Sequence, residues 1–211
     1  AGAGGIRRGL EREAGRLARD GVCHVCFGPA PADSGLVRVA LGLDDDWSWS
    51  IPDRNDRPQT VVLSDPGLVE ALRARADVQQ LRDRLRSICD RFEVIMYVCR
   101  QDHLAVCRAA ARLDMGSGSP AIFPDDGGRL PWAFDYDRVH RLWSDVFGPG
   151  SIQLRVFAPG QLFSGDAFRD FCAAVRVRST GLRWRAAGSG AGCSLQRAVA
   201  KLSRAGWPVL E

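Results

Sequence analysis

FDYDRVHRLWSDVFGPGSIQLRVFAPGQLFSGDAFRDFCAAV, residues 134–175, is the stretch that decides the fold class. Val139, Leu142, Trp143, Val146 and Phe147 recur at helical spacing, which gives residues 136–147 one apolar face. Gly148-Pro149-Gly150 ends that helix, because glycine accepts the left-handed cap and proline cannot continue the ladder. Ile152, Leu154, Val156 and Phe157 form a short β-rich run, and residues 166–175 return to a helical pattern. A strand held between two helices points to an α/β layer built on a mostly parallel sheet.

Working outward, the same alternation recurs. Residues 6–20 predict a helix with Ile6, Leu10, Ala14 and Leu17 on one face and Gly21 as its C-cap. Strands are predicted over 22–27, 60–64 and 93–99. Residues 28–59 read mainly as loop, with one short element near 34–41. Pro66 sits well in the first turn of a helix over 66–74. Residues 77–91 predict an amphipathic helix with Val78, Leu81, Leu85 and Ile88 inward, and residues 102–113 another. Residues 114–131 read as a loop. Beyond residue 176 the chain is rich in Arg, Ser and Gly, with one late helix near 194–204. No internal repeat and no clean boundary appears, so residues 1–211 read as a single domain with 176–211 as a C-terminal extension.

Composition narrows the function classes. The 211 residues suffice for one α/β domain with a real core. The net charge of +4 rests on arginine, since Lys201 is the only lysine. That balance suits an anionic ligand, but no run of five basic residues and no aromatic-interleaved basic ladder exists, which argues against nucleic acid. No apolar run reaches the length of a membrane span, and no signal-peptide pattern opens the chain. Seven cysteines, an odd number with several inside apolar runs, suit reduced core thiols of a cytoplasmic protein rather than a disulfide framework.

Two blocks carry a resemblance. The first is DYxxxxxxWxxxFGxxxIxxRxFxxxxLxxGDxxxDFxxxV, running from Asp135 to Val175; the second is VIMYVCRQDHLAVCR, residues 94–108. Their content, order and separation resemble bacterial sulfotransferase-family proteins, over roughly residues 1–200. The resemblance implies a three-layer α/β sandwich of P-loop type with a mostly parallel sheet. It implies phosphoadenosine phosphosulfate as sulfuryl donor and a carbohydrate or lipid hydroxyl as acceptor. In the family one further strand lies inside the sheet, ahead of the position matching residue 1. The strands read here lack it, so the resemblance also implies a protein partner completing the sheet, different strand pairing, or further sequence.

The resemblance also assigns roles. The family's phosphosulfate loop falls on Ala1-Gly2-Ala3-Gly4-Gly5, so the backbone amides of Gly2, Gly4 and Gly5 are candidates to bind the donor's 5′ group. Gly2 matches the family pattern, whereas the loop's lysine and hydroxyl residues have no counterpart. With those contacts gone, the favoured reading of residues 1–5 is a frayed terminus. Arg100 falls on the arginine that clamps the 3′-phosphate, and a guanidinium offers a rigid fork to phosphate oxygens. Arg100 also reads as a surface residue paired with Asp102. Cys107 falls on the serine of that clamp; a thiol donates weakly, and a buried small hydrophobe is the other reading. Pro66 stands where the family carries a carboxylate base, which leaves Asp65 as the catalytic candidate or as a helix cap.

The remaining motifs read as structure. Cys23-His24-Val25-Cys26 has zinc-like spacing, but no second pair follows, and in a strand the two thiols face opposite sides; no metal is expected. Asp44–Asp46 reads as a solvated acidic tip, the glycines of 188–192 as a linker, and His103 and His140 as solvated helix residues. Trp143 reads as core, while Trp47 and Trp49 read as pocket or partner contacts. Three functions stay open: a sulfotransferase, a non-catalytic structural or interaction subunit on the same fold, and a nucleotide- or phosphosugar-binding enzyme of other P-loop chemistry.

Overall fold

The computed structural model describes residues 3–26, 35–43, 60–65, 67–87, 89–114 and 130–176. It is mixed α/β. The elements run α1 (Ala3–Arg19), β1 (Val22–Cys26), α2 (Gly35–Ala40), β2 (Thr60–Ser64), α3 (Leu68–Ala71), α4 (Arg75–Leu85), β3 (Val94–Val98), α5 (Gln101–Asp114), α6 (Tyr136–Phe147), β4 (Ile152–Val156) and α7 (Ala167–Ala174). Among the described residues the strands form two separate two-stranded sheets, not the single sheet expected. β1 pairs with β2 in parallel, Val22 opposite Thr60, and β3 pairs with β4 in parallel, Val94 opposite Ile152.

Local chemistry explains the element ends. Asp135 caps α6 by accepting the Arg138 N–H at 3.1 Å, and Gly148 ends the helix at φ 94°. Asp166 caps α7 by accepting the Arg169 N–H at 2.8 Å. The Ala74 N–H donates to Asp77 Oδ2 at 3.2 Å, which starts α4 earlier than the apolar pattern indicates. α3 corrects the helix expected over 66–74: it is one turn long, because Leu72 leaves helical geometry (φ −93°, ψ 88°) to bury its side chain completely. Ile88, Trp47, Trp49, Asp44–Asp46 and the helix expected near 194–204 lie outside the described residues.

Two apolar clusters hold the elements. One joins Leu36 and Val39 of α2, Val78 and Leu81 of α4, and Val139, Trp143 and Val146 of α6, with Cys23, Leu63, Val94, Met96 and Ile152 of the strands packed on it. The other joins Ile6, Leu10 and Leu17 of α1 with Phe168, Phe171 and Cys172 of α7, and takes in Val22, Val62, Ile95 and Tyr97. Neighbouring strand residues thus enter opposite clusters, as the two-residue period of a strand requires. α1 and α7 meet closely at Gly9: a Cβ there would lie 2.4 Å from the Phe168 ring.

One polar knot joins β3, β4 and α7. Asp170 on α7 is only 1% exposed. Its Oδ2 accepts from the Tyr97 hydroxyl at 2.7 Å and from Arg155 Nε at 2.6 Å, while its Oδ1 accepts from Arg155 Nη2 at 2.7 Å and from the Phe163 N–H at 2.9 Å. The Arg155 guanidinium holds the Asp170 carboxyl down to about 2, against the opposing effect of burial. A carboxyl with its folded value below its unfolded one stabilises the fold above the unfolded value, and that contribution fades as pH falls through the folded value. Asp170→Asn should therefore cost about 3 kcal/mol at neutral pH. In urea denaturation followed by circular dichroism, the gap between wild type and variant should narrow below about pH 4. A gap that stays constant from neutral pH to about pH 2 would show that the ion pair does not stabilise the fold.

Candidate functional site

β3 ends at Val98, and the chain turns through Cys99 and Arg100 into α5. An open cleft of about 530 Å³ lies at this strand end, lined by Cys99, Arg100, Gln101, Asp102 and Tyr136. A cleft outside the carboxyl end of a parallel strand, at the start of a helix, is where α/β folds bind ligands. Segment 131–136 closes one side. Gln101 Nε2 donates to the Phe134 carbonyl at 2.8 Å, and the Tyr136 hydroxyl donates to the Cys99 carbonyl at 2.9 Å. Trp132 Nε1 donates to the Val69 carbonyl, which ties the same segment to α3.

The electrostatics centre on arginine. Arg100 is 74% exposed and forms a two-point pair with Asp102: Nε to Oδ1 at 3.2 Å and Nη2 to Oδ2 at 2.6 Å. Asp102 Oδ1 also accepts the His103 N–H at 2.9 Å. Arg108, two turns along α5, pairs with Glu70 and lies over the Phe134 ring at 5.6 Å. Burial pushes the Tyr136 hydroxyl up to about 12, with Cys99 adding to the effect and Arg108 opposing it. Tyr136 is therefore a neutral donor in the cleft wall at physiological pH.

The positions singled out from sequence fare differently. Arg100 lies on the cleft and is engaged by Asp102, so it presents a guanidinium to solvent with a carboxylate already in its fork. Cys107 is half-buried on α5 and is not among the residues lining the cleft. Gly4 and Gly5, expected in a loop or frayed end, lie in the first turn of α1, because the apolar period anchored by buried Ile6 and Leu10 carries the helix back to Ala3. Gly2 lies outside the described residues. Asp65 follows β2; its Oδ1 accepts the Gly67 N–H at 2.7 Å, and its Oδ2 is buried with no hydrogen-bond partner. Burial raises the Asp65 carboxyl above its ordinary value, opposed by the Gly67 and Val37 amides. Asp65 does not line the cleft that holds Arg100.

Sequence reasoning missed Tyr136 and Gln101 as cleft residues. Their signal was present in weak form: a hydroxyl-bearing aromatic beside the Asp135 cap, and an amide beside the strand-end arginine. Among the described residues no three His, Cys, Asp or Glu side chains stand together as a metal site, and no helix is long and apolar enough to cross a membrane.

Removing the Tyr136 hydroxyl strands the Cys99 carbonyl. Tyr136→Phe should cost about 1 kcal/mol of stability in urea denaturation; an unchanged midpoint would mean that water replaces the bond. Compared with known proteins, the chain matches no family model, no curated protein and no solved structure.

Proposed function

We propose that the chain is a sulfotransferase-like domain in which Arg100 receives the 3′-phosphate of phosphoadenosine phosphosulfate. The reaction is sulfuryl transfer to a hydroxyl of a carbohydrate or lipid. The observation that carries this reading is the exposed Arg100 guanidinium, on an open cleft where a parallel strand passes into a helix. Arginine matches phosphate because its fork bonds two oxygens at once. Asp65 is the candidate base: it follows β2 as Arg100 follows β3, and a carboxyl raised by burial is better matched to taking a proton than an ordinary one. The acceptor oxygen attacks sulfur, its proton passes to Asp65, and the sulfur–oxygen bond to the 5′-phosphate breaks. The backbone amides of Gly4 and Gly5, in the first turn of α1, are the candidates for the donor's 5′ group, with Gly2 proposed beside them on sequence grounds alone.

A three-layer arrangement is part of the proposal. α2, α4 and α6 share one apolar cluster, α1 and α7 the other, and both sheets contribute strands to both. In a single sheet, right-handed crossovers through the first layer would order the strands β1-β2-β3-β4. Among the described residues no ladder joins β2 to β3, and the residues of β3 are half-buried rather than fully buried. This favours a second reading, a non-catalytic subunit whose sheet is completed by a strand from a protein partner.

Two experiments separate the readings. Adenosine 3′,5′-bisphosphate at a hundredfold excess over its dissociation constant should stabilise a binding protein by about 2.7 kcal/mol, raising Tm by roughly 5–10 °C. Arg100→Ala should remove that shift while leaving the ligand-free Tm unchanged, since the side chain is exposed. No shift at millimolar ligand would end the nucleotide reading. If the sheet needs a partner strand, the chain alone should self-associate with rising concentration in sedimentation velocity, and the β2 and β3 amides that do not bond to β1 or β4 should exchange fast. A concentration-independent monomer with those amides protected would overturn the partner reading.

A further inference from the structure

The cleft already holds an anion of its own. Among its lining residues Asp102 is the one carboxylate, and its two oxygens accept from Arg100 Nε and Nη2, one edge of the guanidinium. The same carboxylate takes a backbone donor in the first turn of α5, the His103 N–H. A guanidinium fork beside a first-turn amide is the donor set that a phosphate oxygen pair seeks at such a position. The other two polar side chains of the lining are committed elsewhere: Gln101 Nε2 to the Phe134 carbonyl and the Tyr136 hydroxyl to the Cys99 carbonyl. Neither competes for Arg100.

The pair is also easily opened. Arg100 and Asp102 are 74% and 56% exposed. Ion pairs this exposed are weak in water and are screened by salt. Asp102 is therefore not needed to hold the fold, since the ties from α5 to the 131–136 segment run through Gln101 and Arg108. What Asp102 does is engage the Nε and Nη2 donors of the guanidinium and place a negative charge where a negative ligand must dock.

Resting on the nucleotide reading above, we infer that Asp102 is a built-in counter-anion that competes with a phosphate ligand for the Nε–Nη2 edge of Arg100, so that this one carboxylate tunes the affinity and charge selectivity of the cleft. Displacement swings Asp102 toward solvent and frees the fork together with the His103 N–H. The ligand then gains both donors and meets a residual repulsion from the displaced carboxylate. Selectivity follows from charge. A dianion competes for the fork far better than a monoanion, and a neutral nucleoside gains nothing from the exchange.

The test is a titration of the whole chain with adenosine 3′,5′-bisphosphate, adenosine monophosphate and adenosine, followed by calorimetry. Asp102→Asn keeps the shape and removes the charge; Asp102→Ser keeps a short side chain able to accept the His103 N–H. Both variants should bind the bisphosphate about threefold to tenfold tighter than wild type at low ionic strength. The gain should shrink as salt is raised, be smaller for the monophosphate and vanish for adenosine. In the Arg100→Ala, Asp102→Asn double variant binding should be lost. A residue that merely shaped the turn would change affinity for all three ligands alike. Equal binding by wild type and both Asp102 variants, with Arg100→Ala still abolishing it, would overturn this inference and leave the nucleotide reading standing. Weaker binding by both variants would overturn the inference as well, since Asp102 would then be supporting the site. Absence of binding by wild type and by both variants would overturn the inference and the nucleotide reading together. Binding confined to the two variants would support it in its strongest form.

Discussion

The buried Asp170 carboxylate is the constraint on which the C-terminal half depends. It draws a tyrosine from β3, an arginine from β4 and a backbone amide from the turn before α7 onto two oxygens. Each donor also offsets part of the cost of burying the charge. The knot fixes α7 across the β3–β4 pair, and with it the apolar face that Phe168 and Phe171 present to α1. Because β3 is held from this side, its carboxyl end meets α5 in one defined orientation, and the cleft at Cys99 and Arg100 inherits that order. The stabilising group stands at the opposite cluster from α6, so the two ends of the β3–α5 unit are secured independently, by Asp170 on one side and by Tyr136 and Gln101 on the other.

Much of this was legible in the sequence wherever the determining signals are local. α6 was readable to the residue, because Asp135 caps it, its apolar stripe is regular and Gly148 stops it. The four strands were readable because each is a short β-branched or apolar run bounded by polar or turn residues. Parallel pairing followed from the alternation of strands with helices. Local signals also misled. Glycine-rich residues 3–5 argued for a frayed end, yet Ile6 and Leu10 pack so firmly on α7 that the helix extends through them. The run after Pro66 argued for a two-turn helix, yet burying Leu72 outweighed continuing it.

What stayed hidden is what depends on distant partners. The division into two sheets cannot be read from strand propensity, since propensity says nothing of which edges meet. The convergence of Tyr97, Arg155 and Phe163 on Asp170 joins segments that no local period connects. The same holds for the cleft: Arg100 was readable as a strand-end arginine, but Tyr136 enters its wall only because the 131–136 segment folds back onto β3 and α3. Asp65 is alike: its position after β2 was legible, whereas the turn amide that seats one of its oxygens and the burial of the other were not.

The notch at Gly9 has a consequence for how the molecule assembles. Each sheet is closed by strands of its own half, β1 with β2 and β3 with β4, so each half can reach its ladder without the other. The halves are joined where α1 meets α7, where α4 meets α6, and where Trp132 and Arg108 reach Val69 and Glu70 of α3. At the first of these seams the Phe168 ring seats directly on the bare backbone of Gly9. Position 9 thus acts as a keyhole at this seam: a methyl group there must push the Phe168 ring aside, while the α4–α6 cluster keeps its own packing.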